Sequence, residues 1–473
     1  MKELKAATEQ TDRLTSTEPT KPKTTKAAWY QAVWRWHFYA GLFAAPFLLI
    51  LAFSGAVYLF KPQIEGFLYQ DQYMADEMGS QSLPSSSLIG AVQEAYPDAV
   101  ISSYKVYDEE SRTVEMSIMD GETPKSVYVN PYTGDVQGEL IVSEKFTEIF
   151  KKLHSELIVG GTFANRLVEL AACWTILLLV TGLYMWWPRN RKSIWGTVLP
   201  RFRSKGRTFW RDLHAVPAFW FSIMIVILIA TGLPWSGVMG GQIDRLANST
   251  NSGYPAFATT FAEKPQSAVR ADDVAEDVPW ASQNSEVPTS AVGGYQTISM
   301  DDVTMIASME KVAKPYTISM PVGEEGVYTI ATSHSAPWDN ATLHVDQYSG
   351  GVLSDVRFNE WGIMAQGITA GIALHEGRLF GWFNQALGLI TCLAIMGIVI
   401  SSFVMWRKRK PDGLGSPKKP VSKKVTRTVF VLMIIGGILM PLVGLSILIV
   451  LIFDLVIVKR IPPLKRWFHG RTA

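Results

Sequence analysis

Two histidines stand where aromatic, basic segments turn apolar. Trp34-Arg35-Trp36-His37 opens one apolar stretch, and Ser54-Gly55 closes it. Phe209-Trp210-Arg211-Asp212-Leu213-His214 opens another, and Thr231-Gly232 closes that one. In both, the glycine follows the histidine by eighteen residues, which is five whole helical turns, or about 27 Å. Each helix face then carries a ligand at one level and a gap without a side chain at the other. This suits a flat cofactor at each level, one ligated and one packed against glycine.

The elements that position these residues are membrane spans. Apolar residues make 48% of the 473-residue chain and gather in runs of about 20, the length that crosses a bilayer. Four core spans are expected, at roughly Phe38–Phe60, Leu167–Trp187, Ala215–Val238 and Leu387–Trp406. Cys173 and Cys392 are the only cysteines and both lie in apolar runs, which excludes a disulfide framework or a zinc pattern in the aqueous parts.

Charge sets the orientation. Seven Lys/Arg precede the first span, eight fill 188–211 with no acid, and nine face one Asp in 407–427. The positive-inside rule places these segments in the cytoplasm. The intervening stretches are acidic: 62–150 holds 16 Asp/Glu against 4 Lys/Arg, and 241–374 holds 16 against 6. Beyond 427, Phe430–Val458 would measure about 43 Å as one helix, too long without strong tilt. Pro441 and Gly444 interrupt it, and basic residues flank both ends, so a helical hairpin is preferred over a single helix.

The two outer stretches read alike. Leu88–Ala95 is expected as a helix, then strands at Val100–Val106 and Thr113–Ile118, then a strand-turn-strand over Val127–Val136. Met300–Lys311 is expected as a helix, then strands at Tyr316–Met320 and Gly326–Ala331, then the same strand-turn-strand over Leu343–Val352. Residues 250–290 read as an insertion or mobile loop. The chain thus divides into two halves of one design, span, outer module and span, in parallel orientation.

The second spans also correspond. Leu153-His154-Ser155-Glu156 leads into one that closes with Thr181-Gly182, and Leu374-His375-Glu376-Gly377 leads into one that closes with Ser401-Ser402. Of seven histidines, four therefore occupy matching places: His37 and His214 at the inner face, His154 and His375 at the outer. Two pairs are what two bis-histidine haems in a four-helix bundle require. Interfacial histidines resting among headgroups are the competing reading for any one of them. A free metal ion fits less well, because no HxxxH or His/Asp/Glu helix face accompanies them.

The Leu-His segments, the Trp-Arg…His starts with their later Ser/Thr-Gly, and the V-(N/D)-x-Y-(T/S)-G-x-V turn resemble the PepSY-associated transmembrane family over roughly residues 30–410. The resemblance implies an inner-membrane, haem-containing reductase of ferric siderophores. It implies two b haems ligated by His37, His214, His154 and His375. Ser401-Ser402 stands where the other three spans carry Ser/Thr-Gly.

The expected fold is an α-helical polytopic membrane bundle, four core helices in two parallel repeats plus a C-terminal hairpin, with two small α+β PepSY-like periplasmic modules. The expected order is a disordered cytoplasmic tail (1–33), helix 1 (34–60), module 1 (61–150), a His segment with helix 2 (151–187), a basic loop (188–211), helix 3 (212–239) and module 2 with its insertion (240–362). A His segment with helix 4 (363–406), a basic linker (407–427), the hairpin (428–458) and a cytoplasmic tail (459–473) complete it. The expected site is the four histidines, with Gly55, Gly232 and Gly182 packing against haem. Arg35 and Arg211 are expected either to pair with haem propionates or to serve as positive-inside anchors. Glu169, an acid inside a span, is either functional or reaches headgroups. His334 and His344 are expected at the surface and His469 in a basic tail.

The expected activity is electron transfer across the bacterial inner membrane, N-terminus cytoplasmic, reducing a ferric siderophore or other ferric chelate outside. No GxGxxG is present, so the donor is a quinol or a cytoplasmic reductase. No nucleic-acid partner is expected. The alternative is a membrane-anchored PepSY peptidase inhibitor or sensor without redox activity.

Overall fold

A computed structural model describes residues 25–188, 194–254, 269–290, 296–332, 336–409, 414–417 and 422–469. In chain order its main helices are α1 (Thr25–Tyr58), α2 (Lys61–Leu68), α3 (Ser85–Ala95), α4 (Phe146–Glu156), α5 (Gly161–Trp186), α6 (Arg207–Trp220), α7 (Ser222–Gly232) and α8 (Val238–Ser249). They continue with α9 (Met300–Met309), α10 (Ile363–His375), α11 (Gly381–Arg409), α12 (Lys423–Leu439), α13 (Pro441–Phe453) and α14 (Pro462–His469). The strands are β1 (Val100–Val106), β2 (Val114–Asp120), β3 (Thr123–Val129), β4 (Val136–Ile141), β5 (Tyr316–Ser319), β6 (Val327–Thr332), β7 (Ala341–Asp346) and β8 (Val352–Arg357).

Helices α1, α5 and α11 are each long and apolar enough to cross a membrane, as is Pro441–Val458. The chain is a multi-pass membrane protein. α1 packs between α5 and α11, and α11 packs on α6. Their outward residues are large and apolar: Ile390, Leu393, Ile400 and Phe403 of α11 are all exposed, a face suited to hydrocarbon. α1 starts at Thr25, ahead of the expected start at 34. Residues 1–24 of the expected tail lie outside the described residues.

The third span departs from expectation. In place of one straight helix over 212–239, α6 and α7 meet at Phe221 with a bend of 59°. Pro217 lies inside α6. It has no amide for the carbonyl of Leu213 and its ring crowds that carbonyl, which loosens the helix there.

The C-terminal stretch turns back at Met440. A Cβ on Gly437 would lie 2.6 Å from Gly444 Cα, so the backbones of α12 and α13 touch beside the turn. Val425 and Val429 of α12 pack on Ala28 and Ala32 of α1, and Val443 and Ile447 of α13 pack near Cys173 of α5.

The two segments expected outside the membrane are not separate modules. They form one antiparallel eight-stranded sheet in the order β4-β3-β2-β1-β5-β6-β7-β8. The seam is β1 on β5, with Tyr104 opposite Ile318 and Lys105 opposite Thr317. Each four-stranded meander would otherwise expose an edge of unpaired amides and carbonyls, and the seam covers both. Helices α3 and α9 share one face and one core, in which Leu88, Val92, Met300 and Val303 pack with Met116, Ile118, Ile318 and Ile330.

The turn chemistry is as expected. Asn130 Oδ1 accepts the amide of Tyr132 at 2.8 Å and Asp346 Oδ1 that of Tyr348 at 2.9 Å. The closing glycines, Gly134 and Gly350, have φ of +81° and +70°, a region that costs glycine little. The reading of 250–290 as an insertion or mobile loop needs correction over its second part. Ala271, Val278 and Val287 pack on Val327 and Ala331 of the sheet, and so cover apolar residues that would otherwise face water. Residues 255–268 lie outside the described residues.

Candidate functional site

The four histidines come together in two pairs. His37 of α1 and His214 of α6 have ring centres 6.2 Å apart with planes at 88°. His154 of α4 and His375 of α10 have ring centres 6.2 Å apart with planes at 79°. The second pair lies at the sheet end of the bundle and the first at the opposite end.

Each ring is seated by a different helix from its own. His37 Nδ1 lies 2.9 Å from Thr181 Oγ1, and His37 Cε1 lies 3.2 Å from where a Cβ on Gly182 would stand. His154 Nδ1 is 3.1 Å from Ser54 Oγ, and its Cε1 is 3.1 Å from a Cβ on Gly55. His375 Nδ1 is 3.0 Å from Thr231 Oγ1, and its Cε1 is 3.3 Å from a Cβ on Gly232. The Ser/Thr-Gly dipeptide is thus a notch. The hydroxyl takes the ring's Nδ1 and the glycine makes room for its edge. The glycines expected to pack against a cofactor are here set against imidazoles.

His214 differs. Its Nδ1 lies 3.0 Å from the backbone carbonyl of Ile398. Ser401-Ser402 stands at this place, and Ser401 Oγ donates to the same carbonyl at 2.9 Å.

An imidazole nitrogen stands about 2 Å from a metal it ligates and about 1 Å from its own ring centre, so two imidazoles on opposite sides of one ion have centres about 6 Å apart. Both pairs match that spacing. Among the described residues no group of three or more His, Cys, Asp or Glu stands together, so each level offers a metal two protein ligands. A metal that brings its own equatorial ligands, as haem iron does, needs only these two. The residues present fit haem.

Polar contacts hold the sheet-end pair in place. Lys61 of α2 reaches Glu148 of α4 at 3.1 Å. Glu65 of α2 accepts from Thr147 of α4 and from Tyr73. The helix that carries His154 is thereby fixed to the helix that follows Ser54 and Gly55.

The arginines have protein partners. Arg35 donates to the Pro417 carbonyl at 2.6 Å and to Tyr39 at 3.2 Å. Arg211 donates to Asp212 at 3.0 Å. Asp212, two residues before His214, passed unnoticed in the sequence. It is buried and accepts from Arg201 Nε at 2.7 Å and from Arg201 Nη2 at 2.9 Å. Its acidic type directly after a basic segment without acids, 188–211, was the available signal.

Glu169 is buried in α5 and accepts the amides of Val238 and Met239 at 3.0 and 2.9 Å. These are first-turn amides of α8 without helical partners, and a carboxylate there also meets the positive end of the helix dipole. His344, expected at the surface, is buried in β7 with Nδ1 3.0 Å from Thr329 Oγ1. Burial pushes its pKa down to about 4. It is remote in the chain's architecture from the two pairs, being set in the sheet. His334 and the side chain of His469 lie outside the described residues.

The sequence model of the PepSY-associated TM region matches residues 34–409. This chain belongs to the PepSY-associated TM family. The match runs from Trp34, within α1, to the end of α11, so both pairs of this PepSY-associated TM protein fall inside it. No curated protein matches the chain.

Proposed function

We propose that this protein carries electrons across the bacterial inner membrane through two b haems and reduces a ferric siderophore, or another ferric chelate, on the periplasmic side. The observation that carries the reading is the two histidine pairs, one at each end of the bundle, each with ring centres 6.2 Å apart. His37 and His214 hold one group and His154 and His375 the other. Haem b, bound there, supplies one-electron chemistry.

The protein's own residues do the rest. The apolar spans keep water away from the pairs. The notches at Ser54-Gly55, Thr181-Gly182 and Thr231-Gly232 fix the rings. The basic segments hold the N-terminus and the His37–His214 end at the cytoplasm, where a quinol or a cytoplasmic reductase delivers electrons. The acidic sheet then faces the periplasm beside the His154–His375 end, where the ferric substrate is reduced.

A pyridine haemochrome assay on the purified protein tests this reading. Two b haems per chain support it. Folded protein without haem refutes it and favours a membrane-anchored inhibitor or sensor.

A further inference from the structure

We infer that Ser54, Thr181 and Thr231 are positioning residues that, together with the Ile398 carbonyl, hold all four histidines as the Nδ1–H tautomer and leave every Nε2 as a lone pair for a Lewis acid. This rests on the proposed two-haem reading for its purpose, but the tautomers follow from distances alone.

A hydroxyl has one hydrogen to give. Thr181 Oγ1 lies 2.6 Å from the Leu177 carbonyl, Ser54 Oγ 2.7 Å from that of Ile50, and Thr231 Oγ1 2.8 Å from that of Ile227. Two oxygens this close must have a hydrogen between them, and a carbonyl has none to offer. Each hydroxyl hydrogen is therefore committed to its own helix, in the back-bonding that Ser and Thr adopt on helices. Toward the histidine the hydroxyl oxygen can only accept. The Nδ1 atoms 2.9 to 3.1 Å away must bring the hydrogen.

At His214 the partner is a carbonyl, which also can only accept, so the same tautomer results by a different atom. A neutral imidazole has one ring hydrogen. With that hydrogen at Nδ1 in all four rings, neither member of a pair has one to give its neighbour. Two acceptor rings set 6.2 Å apart complement a cationic centre between them and not a hydrogen bond. Outer contacts of this kind fix ring orientation and raise ligand basicity.

The departure at the fourth notch supplies an internal control. Thr231 accepts the hydrogen of His375 at 3.0 Å, so Thr231→Val, which keeps the shape and removes that hydroxyl, weakens the hold on that tautomer and leaves the Leu228 carbonyl as the remaining acceptor. Ser401 stands at the matching place but is not the acceptor for His214. Ser401→Ala therefore leaves the His214 tautomer as it was.

The experiment has two arms. First, ¹⁵N spectra of the imidazoles are recorded on haem-free protein. Wild type shows Nδ1–H at all four. Thr231→Val alters His375 alone, Thr231→Ser restores it, and Ser401→Ala alters none. Second, haem affinity and midpoint potential are measured on loaded protein. Thr231→Val and Ser54→Ala each weaken binding at the sheet-end level by about tenfold or more. They also raise the potential there, because a less basic imidazole stabilises ferric iron less. Nε2–H imidazoles in the wild type, or unaltered spectra, affinity and potential in Thr231→Val, overturn the inference. Protein that takes up no haem at all overturns the functional proposal, while the ¹⁵N arm still decides the tautomers.

Discussion

Ser54 and His154 stand 100 residues apart in the chain and 3.1 Å apart in the structure, Oγ to Nδ1. The same helix α1 that presents His37 at one end seats His154 at the other. α1 is thus both the carrier of one ring and the socket for another, while α5 and α11 serve the His37–His214 level only as seats. The two levels share α1 and still rest on separate contacts.

Enlarging one socket residue should empty one level. A Cβ on Gly55 would stand 3.1 Å from His154 Cε1, so Gly55→Ala asks the ring to shift by a few tenths of an ångström, and Gly55→Val asks for more than the notch allows. We expect Gly55→Val to lose about half of the haem per chain and Gly55→Ala to keep most of it with weaker binding, by roughly tenfold. Pyridine haemochrome titration checks this. Full haem content in Gly55→Val would show that the glycine is not needed for the seat.

Glu169 should act on stability. It holds two first-turn amides of α8 from inside α5. Replacing it by Gln keeps its size and removes the charge, at a cost of about 1–2 kcal/mol. Thermal unfolding in detergent measures the loss. Hydrogen exchange should speed up first at Val238 and Met239, and uniform exchange along α8 would deny the capping role.

The sheet carries a pH dependence of its own. His344 is buried neutral, with a pKa pushed from 6.5 down to about 4 by burial. A lowered pKa means that the folded form binds fewer protons than the unfolded one. The contribution is therefore complete above about pH 6.5 and is lost as pH falls toward about 4, by up to about 3 kcal/mol. Melting curves between pH 7.5 and 5 should show wild type losing stability and His344→Gln losing less. Parallel slopes would contradict this.

Much of this was legible in the sequence. Spacing placed His37 and Gly55 on one helix, and the Leu-His segments marked His154 and His375; His214 and Gly232, read by the same spacing as one face, lie on α6 and α7 either side of the bend. The turn residues marked Asn130 to Gly134 and Asp346 to Gly350. The purpose of the glycines was not legible, because periodicity reports a face of one helix and not what another helix lays against it. The same limit hid the Ser54, Thr181 and Thr231 hydroxyls as acceptors. It hid the partners of Glu169, which lie 69 and 70 residues away. The β1–β5 seam joins strands from the two halves of the chain, and each strand looks complete by itself. The bend at Phe221 was not legible, because an apolar run alone does not show where a helix breaks.

The most direct test is the visible spectrum of two single variants, His375→Ala and His214→Ala, with electrons supplied from the cytoplasmic side. The account predicts that each keeps one b haem. In His375→Ala the remaining haem is reduced and the external ferric chelate is not. In His214→Ala the remaining haem stays oxidised. Loss of both haems from either folded variant, or chelate reduction at the wild-type rate in His375→Ala, would contradict two levels held by separate histidine pairs.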